Sequence, residues 1–282
     1  MPAVQPDSNI AIIDGQAHCW RLFRPEIWLA AARCNVQGAL RQLGRNEAAY
    51  AVVICASAPG AFSLAELLPH WEQHEGSESR EVEPITTEAG VMAAWVRGRD
   101  QIPILFVAAA QLVTRERIEV LALTPAAIDA STDLASLLNR CEQQGIRTIL
   151  PWGLGKWLGA RGARIRNVLT ERDRSKHVLI GDIGGRPWVW PRPSLLGTLE
   201  RCGYRSINGT DPLPVSAEEA RVGSYGSWHS HPTANSTIAD LSYAEVWQRL
   251  FVAPATFERF GRSAGLLACL NAQMALRLYR AA

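Results

Sequence analysis

Two polar residues that follow the first apolar run of the chain have the spacing of metal ligands. Gln16 and His18 lie two positions apart, so their side chains would point to the same side of a strand. A pair of histidines at this spacing would bind a divalent transition metal well, but glutamine is a poor ligand for such ions. Two interpretations stay open: His18 is a metal ligand, or it is hydrogen-bonded within a polar pocket.

The segment 151–157 places two tryptophans and two glycines around one lysine, as Pro-Trp-Gly-Leu-Gly-Lys-Trp. Glycine lets the backbone approach a ligand, and the indoles of Trp152 and Trp157 could form a stacking wall. Lys156 and the nearby Arg161 would supply positive charge for a phosphate or carboxylate. We favour a ligand site, because loops at strand ends often carry function. The alternative is a glycine-hinged loop whose tryptophans pack over the core.

Two aspartates follow later apolar runs. Asp182 could ligate a metal, act as a base or pair with Arg186. Asp211 stands in Asn-Gly-Thr-Asp-Pro-Leu-Pro, where it would be a metal ligand or a water-activating base. The alternative is an Asx turn before the proline. A second pair, His229 and His231, lies in a segment rich in glycine, serine and proline, where we expect exposed side chains and not ligands.

Alternating apolar runs and helical patterns would position these residues. Continuous apolar runs predict strands buried on both faces, over residues 10–13, 51–55, 102–109, 118–123, 148–150, 178–180 and 205–207. Helical patterns cover 25–43 and 262–280, and the acidic stretch 72–88 is typical of a surface loop or lid. Strand–helix alternation indicates parallel strands, whose carboxyl ends gather the functional residues. Spacing alone does not decide between a closed barrel and an open sheet.

The overall composition excludes several classes of protein. The chain has 282 residues, of which 48% are hydrophobic, and its 29 basic and 27 acidic residues leave a formal charge of +2. Because no basic stripe is present, we expect no nucleic-acid partner. No apolar run approaches the roughly 20 residues that a membrane helix needs, and no secretory signal is seen. The six cysteines are scattered without a CxxC pair, which indicates a reducing, cytoplasmic setting.

The order of these motifs resembles the PHP family, the polymerase-and-histidinol-phosphatase type of metal-dependent hydrolases, from residue 10 to about residue 221. The chain is similar in particular to PHP-like proteins marked by a Trp-Gly-x-Gly-Lys-Trp turn and a final Gly-[Ser/Thr]-Asp-Pro-Leu-Pro turn. The resemblance implies an α/β fold of the distorted (β/α)7 TIM-like barrel type. It also implies a cluster of metal ions at the barrel mouth and phosphoester hydrolysis.

Much of the metal-ligand set of the family is replaced in this chain. The opening His-x-His has glutamine at its first position and keeps His18, and the closing Asp-x-His keeps Asp211 but ends in leucine. The glutamate of the family falls at Gln111, and one of its histidines falls at Glu119. The resemblance therefore implies at most one divalent ion, Zn, Mn or Fe.

We expect one PHP-like domain over residues 1–282, with a C-terminal helical segment at about 236–282. The expected function is hydrolysis of a phosphorylated or otherwise anionic small molecule. The expected site consists of catalytic Asp211, Asp182 and Lys156, substrate-binding Gln16, Trp152, Trp157, Arg161 and Arg186, and metal ligands His18, Asp211 and Glu119. Two alternatives stay open: a non-catalytic barrel that binds an anionic or sugar-like ligand, and a scaffold protein. The sequence does not give the oligomeric state.

Overall fold

A computed structural model describes residues 8–44, 49–72, 80–99, 101–153, 156–172, 177–232, 241–252 and 257–281. The strands are β1 (Ser8–Ala17), β2 (Ala49–Ser57), β3 (Arg80–Thr87), β4 (Gly90–Gly98), β5 (Ile104–Val113), β6 (Glu119–Ala122), β7 (Thr148–Pro151), β8 (Val178–Gly181), β9 (Tyr225–Pro232) and β10 (Glu258–Gly261). The helices are α1 (Pro25–Gln42), α2 (Leu64–Glu72), α3 (Leu134–Gln143), α4 (Gly159–Glu171), α5 (Ser194–Arg201), α6 (Tyr243–Trp247) and α7 (Leu266–Ala281). A 3₁₀ helix (Ser216–Arg221) precedes β9, and a π-helical turn (Gln248–Val252) follows α6.

The described strands form one mixed sheet of ten strands in the order β10-β9-β1-β2-β5-β6-β7-β8, with β4 and β3 attached beside β5. The predicted distorted (β/α)7 TIM-like barrel is wrong, because this sheet is open and curled into a half-barrel, although the protein is α/β overall. Only the pairs β1–β2, β2–β5 and β7–β8 are parallel. The short segment 114–118 between β5 and β6 leaves no room for a helical crossover, so these strands pair antiparallel.

Three local predictions also need correction. Residues 205–207 form only an isolated bridge to β8 and no strand. His229 and His231 lie in β9, not in an exposed loop, and His231 is buried. Of the expected loop 72–88, residues 73–79 lie outside the described residues, and 80–87 form β3. Four observed strands were not predicted: β3, β4, β9 and β10. β3, β9 and β10 are rich in polar residues and lack the apolar run on which strand prediction depends, whereas β4 was missed although its residues 91–96 are all apolar.

The central strands are covered by apolar side chains on both faces. On one face of β1, Ile10 and Ile12 belong to a cluster with Trp28 of α1. On the other face, Ala11 and Ile13 belong to a cluster that includes Leu250 and Phe251 of the π-helical turn. This two-sided burial explains why β1 is a continuous apolar run and confirms that part of the prediction. Within the described ranges, no helix combines the length and apolarity that crossing a bilayer requires.

The irregular segment 205–211 runs between β8 and the end of β1. On the β8 side, the amide of Gly209 donates to the carbonyl of Asp182 at 3.1 Å. On the β1 side, the amide of Asp211 donates to the carbonyl of Gln16 at 2.8 Å. Asp211 is thereby fixed directly beside the end of β1, where the sequence placed His18.

The close approach of this segment to its neighbours depends on glycine. A Cβ on Gly209 would lie 2.2 Å from the backbone nitrogen of Gln16. A Cβ on Gly181 would lie 2.4 Å from the carbonyl oxygen of Ile207. Both distances are far shorter than real contacts of a Cβ atom, so a larger residue at either position would push the segment away.

Candidate functional site

A buried carboxylate at the end of β1 holds the turn that carries Asp211. Asp14 accepts hydrogen bonds from the backbone amide of Thr210 at 2.8 Å, from its hydroxyl at 2.6 Å, and from the amide of Gly223 at 2.8 Å. Burial raises the pKa of Asp14 to about 6, and these hydrogen bonds oppose that rise. Asp14 was not among the predicted site residues; its signal in the sequence is a charged residue that directly continues an apolar run.

Gln16, His18 and Asp211 come together behind this turn. The side-chain amide of Gln16 donates to Oδ1 of Asp211 at 3.0 Å and lies 3.4 Å from Nε2 of His18. Nδ1 of His18 lies 2.7 Å from the carbonyl of Ala56, so Nδ1 carries the proton of the neutral ring and Nε2 is an acceptor. Nε2 is 3.5 Å from Oδ1 of Asp211. The indole of Trp20 stacks on His18 with a centroid distance of 4.8 Å and holds the ring in place.

These three side chains do not fit the metal cluster that the resemblance implies. His18 Nε2 and Asp211 Oδ1 are close enough to ligate one ion together. The side-chain amide nitrogen of Gln16, however, lies within 3.4 Å of both atoms and donates a hydrogen bond to Asp211, so it occupies the place that a shared cation would take. Among the residues that the structure describes, no group of three His, Cys, Asp or Glu side chains is placed to hold a metal ion. Glu119, the expected substitute ligand, is paired with Lys156 instead. The single Zn, Mn or Fe ion stays a prediction.

Asp211 opens into a cavity of about 240 Å³. Lys156, Glu218 and Arg221 supply the other charged groups of its wall. Helix α7 forms one side with Cys269 and two further apolar residues, Ala272 and Leu276. The cavity thus joins two predicted site residues from distant turns, Lys156 and Asp211. The structure adds Glu218 and Arg221 from the 3₁₀ helix, which the sequence analysis missed.

Each of the two cations in the cavity wall is paired with a glutamate, of which Glu218 lines the cavity and Glu119 does not, and Asp211 is a further carboxylate. Nζ of Lys156 lies 2.5 Å from Oε1 of Glu119, and Nη1 of Arg221 lies 2.6 Å from Oε2 of Glu218. Within the described part of the chain, Asp211 has no lysine or arginine partner; its Oδ1 accepts from the side-chain amide of Gln16 and lies 3.5 Å from Nε2 of His18. Asp211 also has a φ of 45°, a left-handed conformation that is uncommon outside glycine and is often found at functional sites.

Asp182 is a structural ion pair in this fold. Its carboxylate accepts from Nε and Nη2 of Arg186, at 3.1 and 2.8 Å, and from the hydroxyl of Tyr225 at 3.1 Å. Both partners in the Asp182–Arg186 pair are almost fully buried. Burial and the nearby Asp182 charge raise the pKa of Tyr225 to about 12. Neither Asp182 nor Arg186 lines the cavity that contains Asp211.

The tryptophans of the segment 151–157 are part of the core. Trp152 and Trp157 are buried in the cluster beneath α3, α4 and α5, and the indole of Trp157 donates to the carbonyl of Pro151 at 3.1 Å. They therefore form no stacking wall for a ligand in the cavity. Arg161 lies in the first turn of α4 and does not line the cavity.

The two other histidines with metal-like spacing lie in β9. The rings of His229 and His231 have a centroid distance of 5.9 Å. His231 Nε2 lies 3.2 Å from the hydroxyl of Tyr50, a residue buried in the sheet. His231 thus belongs to a polar contact inside the fold.

No family model matches this chain, and no curated protein matches it either. The relation to PHP hydrolases therefore stays a prediction that depends on the quoted motifs.

Proposed function

We propose that the chain is a hydrolase that binds a small anionic molecule in the cavity and uses Asp211 to activate water. One observation carries this proposal: the Asp211 carboxylate lines the cavity between two cation–carboxylate pairs and has no cationic partner of its own among the described residues. A carboxylate in this setting can accept a proton, whereas Glu119 and Glu218 are engaged by their cations.

The cations of the cavity would hold the substrate. Lys156 and Arg221 offer an ammonium and a guanidinium group, which suit a phosphate or carboxylate. Each has an acidic partner, so a bound anion would share or replace Glu119 and Glu218. The volume of about 240 Å³ is below the ~300–1,000 Å³ that is usual for drug-sized ligands, which favours a small substrate.

The reaction would proceed by direct attack of water. Asp211 would take a proton from a water molecule while the water oxygen attacks phosphorus or a carbonyl carbon. The bond to the leaving oxygen then breaks, and that oxygen takes up a proton from solvent. Gln16 would keep the Asp211 carboxylate oriented during this step, since its side-chain amide donates a hydrogen bond to Oδ1.

A second candidate is a binding protein without catalysis. It is favoured by the pairing of both cavity cations with carboxylates and by the glutamine at position 16. In either case we place the protein in the cytoplasm as a prediction, because none of its six cysteines, all within the described residues, forms a disulfide.

The test is turnover of small phosphomonoesters and carboxylate esters, with and without a chelator, by the wild-type protein and by Asp211→Asn. We expect the variant to lose activity by about 10²–10⁴-fold with little change in substrate binding, because it keeps its shape but loses its base. Asp129→Asn, at an exposed aspartate far along the chain, is the matched control and keeps full activity. Loss of activity with the chelator would support the predicted divalent ion.

Other results separate the alternatives. If no substrate turns over but phosphorylated molecules stabilise the protein thermally, and Lys156→Ala removes that stabilisation, the protein is a binder. Equal activity of Asp211→Asn and wild type would exclude Asp211 as the base.

A further inference from the structure

A second, larger groove shares no lining residue with the Asp211 cavity. Its volume is about 660 Å³, and it is lined chiefly by Arg186, Arg192, Arg259, Arg262, Trp188 and Trp190. The two spaces are separated where the amide of Trp188 donates to the carbonyl of Ala264 at 3.0 Å and the amide of Ala264 donates to that of Gly184 at 2.8 Å. None of the groove residues is needed for the chemistry proposed above.

Only two of the four guanidinium charges in the groove are balanced. Arg186 is paired with Asp182, and Arg192 is paired with Glu200 at 2.5 Å. Arg259 and Arg262 have no acidic partner within the described chain. The groove thus carries a formal excess of two positive charges, four arginines against two carboxylates.

Strand β10 fixes the direction of one of these free arginines. Alternate residues of a strand point to opposite faces, and Phe260 is buried in the core. Arg259 therefore points away from the core face, toward the groove that it lines. Glu258 shares the face of Phe260 and cannot neutralise Arg259 across the strand.

The tryptophans of the groove are exposed to an unusual degree. Trp188 is 68% exposed and Trp190 is 46% exposed. Large aromatic side chains are normally buried, so an exposed pair beside a groove marks a binding surface. The carbonyl of Trp190 accepts from Nη1 of Arg186, which anchors this residue to the buried Asp182 pair.

From this combination we infer that the groove binds a phosphomonoester of a ring compound. Arg259 and Arg262 would form charge-assisted hydrogen bonds with the dianionic phosphate, since one guanidinium group can donate two parallel hydrogen bonds to two phosphate oxygens. The indoles of Trp188 and Trp190 would pack on the flat face of the ring. The site is distinct from the cavity of Asp211 and Lys156, so it does not depend on the proposed hydrolysis.

The test is a titration that follows tryptophan fluorescence, with AMP as the aromatic probe and glucose 6-phosphate as the sugar probe. We expect saturable binding of at least one of the two, and at least tenfold weaker binding of the matching unphosphorylated compound, adenosine or glucose. Arg259→Gln with Arg262→Gln should weaken binding at least tenfold. Arg41→Gln with Arg166→Gln, at two exposed arginines of α1 and α4, should leave binding unchanged.

Two further variants keep the inference falsifiable. Arg259→Lys with Arg262→Lys preserves the charge, so it should restore part of the affinity and exclude misfolding as the cause of the loss. Asp211→Asn should bind the probe as wild type does, which separates this groove from the catalytic cavity. Failure of both phosphorylated probes to saturate, or equal affinity in the Arg→Gln double variant, would overturn the inference.

Discussion

Three aspartates near strand ends differ in surroundings, and the surroundings decide what each carboxylate can do. Asp14 is fully enclosed and accepts hydrogen bonds from a distant turn. Asp182 is equally buried, but a guanidinium group neutralises it. Asp211 keeps part of its surface exposed to a cavity. Of these three, only Asp211 can meet a bound molecule, and the other two stabilise the structure that presents it.

The raised pKa of Asp14 makes a testable contribution to stability. Burial raises this pKa from 3.8 to about 6, so between these values the native state holds a proton that the unfolded state releases. The contribution of Asp14 to the free energy of unfolding therefore falls as pH rises from about 4 to about 6. Asp14→Asn removes this titration and also places an amide N–H against backbone donors, which costs about 1–3 kcal/mol.

We therefore expect Asp14→Asn to be less stable than wild type at pH 4, with a gap that narrows toward pH 7, as measured by urea denaturation. Asp133→Asn is the contrasting control, because hydrogen bonds from Ser136 lower the pKa of Asp133. Its gap to wild type should widen, not narrow, as pH rises through the acid range. A constant gap for Asp14→Asn from pH 4 to 7 would contradict the assignment.

The sequence indicated part of the site at residue level, because strand ends are readable as polar residues after apolar runs. His18 and Asp211 could be selected in this way, and the structure places them 3.5 Å apart. Glu218 and Arg221 could not, since they lie in a 3₁₀ helix whose sequence looks like any solvated turn. Trp152 and Trp157 were selected for their chemistry, but burial in the core decides their role.

Among the structural elements, the segment 205–211 has the greatest effect on the site although it is not a strand. It carries Asp211 and is held by backbone hydrogen bonds on both sides. Its path requires positions without a Cβ, and Gly209 has the closest neighbour on the β1 side. Stability of this segment and geometry of the site are therefore coupled.

This coupling can be tested with two glycine substitutions. Gly209→Ala would place a Cβ 2.2 Å from the backbone nitrogen of Gln16, so we expect a loss of about 3 kcal/mol or more in the free energy of unfolding. Gly38→Ala, in α1 with no atom within 4 Å of the added Cβ, should instead gain about 0.5–1 kcal/mol. Denaturant titration measures both. Wild-type stability in Gly209→Ala would show that the segment does not run against β1.

Predictability of the elements followed their hydrophobic pattern. α1 was predicted nearly to its ends, since its apolar residues follow the helical period, whereas only the apolar centres of β1 and β2 were predicted, over residues 10–13 and 51–55. β3, β9 and β10 were missed, because an edge strand can be acidic and a strand can carry serine, histidine or arginine. β4 was missed although its residues 91–96 are apolar. The sequence also predicts that the strand at 118–123 pairs with its predecessor through the polar turn 114–117, and the antiparallel pairing of β5 and β6 confirms this.

Across the whole molecule, β5 joins the two ends of the sheet. It pairs with β2 on one edge and with β4 and β6 on the other. The apolar clusters on either side therefore share one strand, and we expect the sheet to unfold as a unit. Hydrogen exchange with mass spectrometry in rising urea should show peptides of β2 and β7 losing protection at the same midpoint.

Helix α7 provides the contrast for that experiment. It exposes Leu267, Leu270 and Met274, so one face of the helix makes few stabilising contacts. We expect its peptide to lose protection from hydrogen exchange at a lower urea concentration than the peptides of the sheet. Two separate midpoints for β2 and β7 would mean that the sheet consists of two independently stable halves.

The hydrogen bond between Gln16 and Asp211 spans 195 positions in the chain, and this has a consequence for biosynthesis. β1 leaves the ribosome well before its partners, with Asp14 and Gln16 facing a space that the nascent chain cannot yet fill. Their partners Thr210, Asp211 and Gly223 emerge only after at least 195 further residues have been translated. Until then the first strand exposes polar groups meant for burial, so prematurely terminated products would lack the pocket and be substrates for chaperones and proteases.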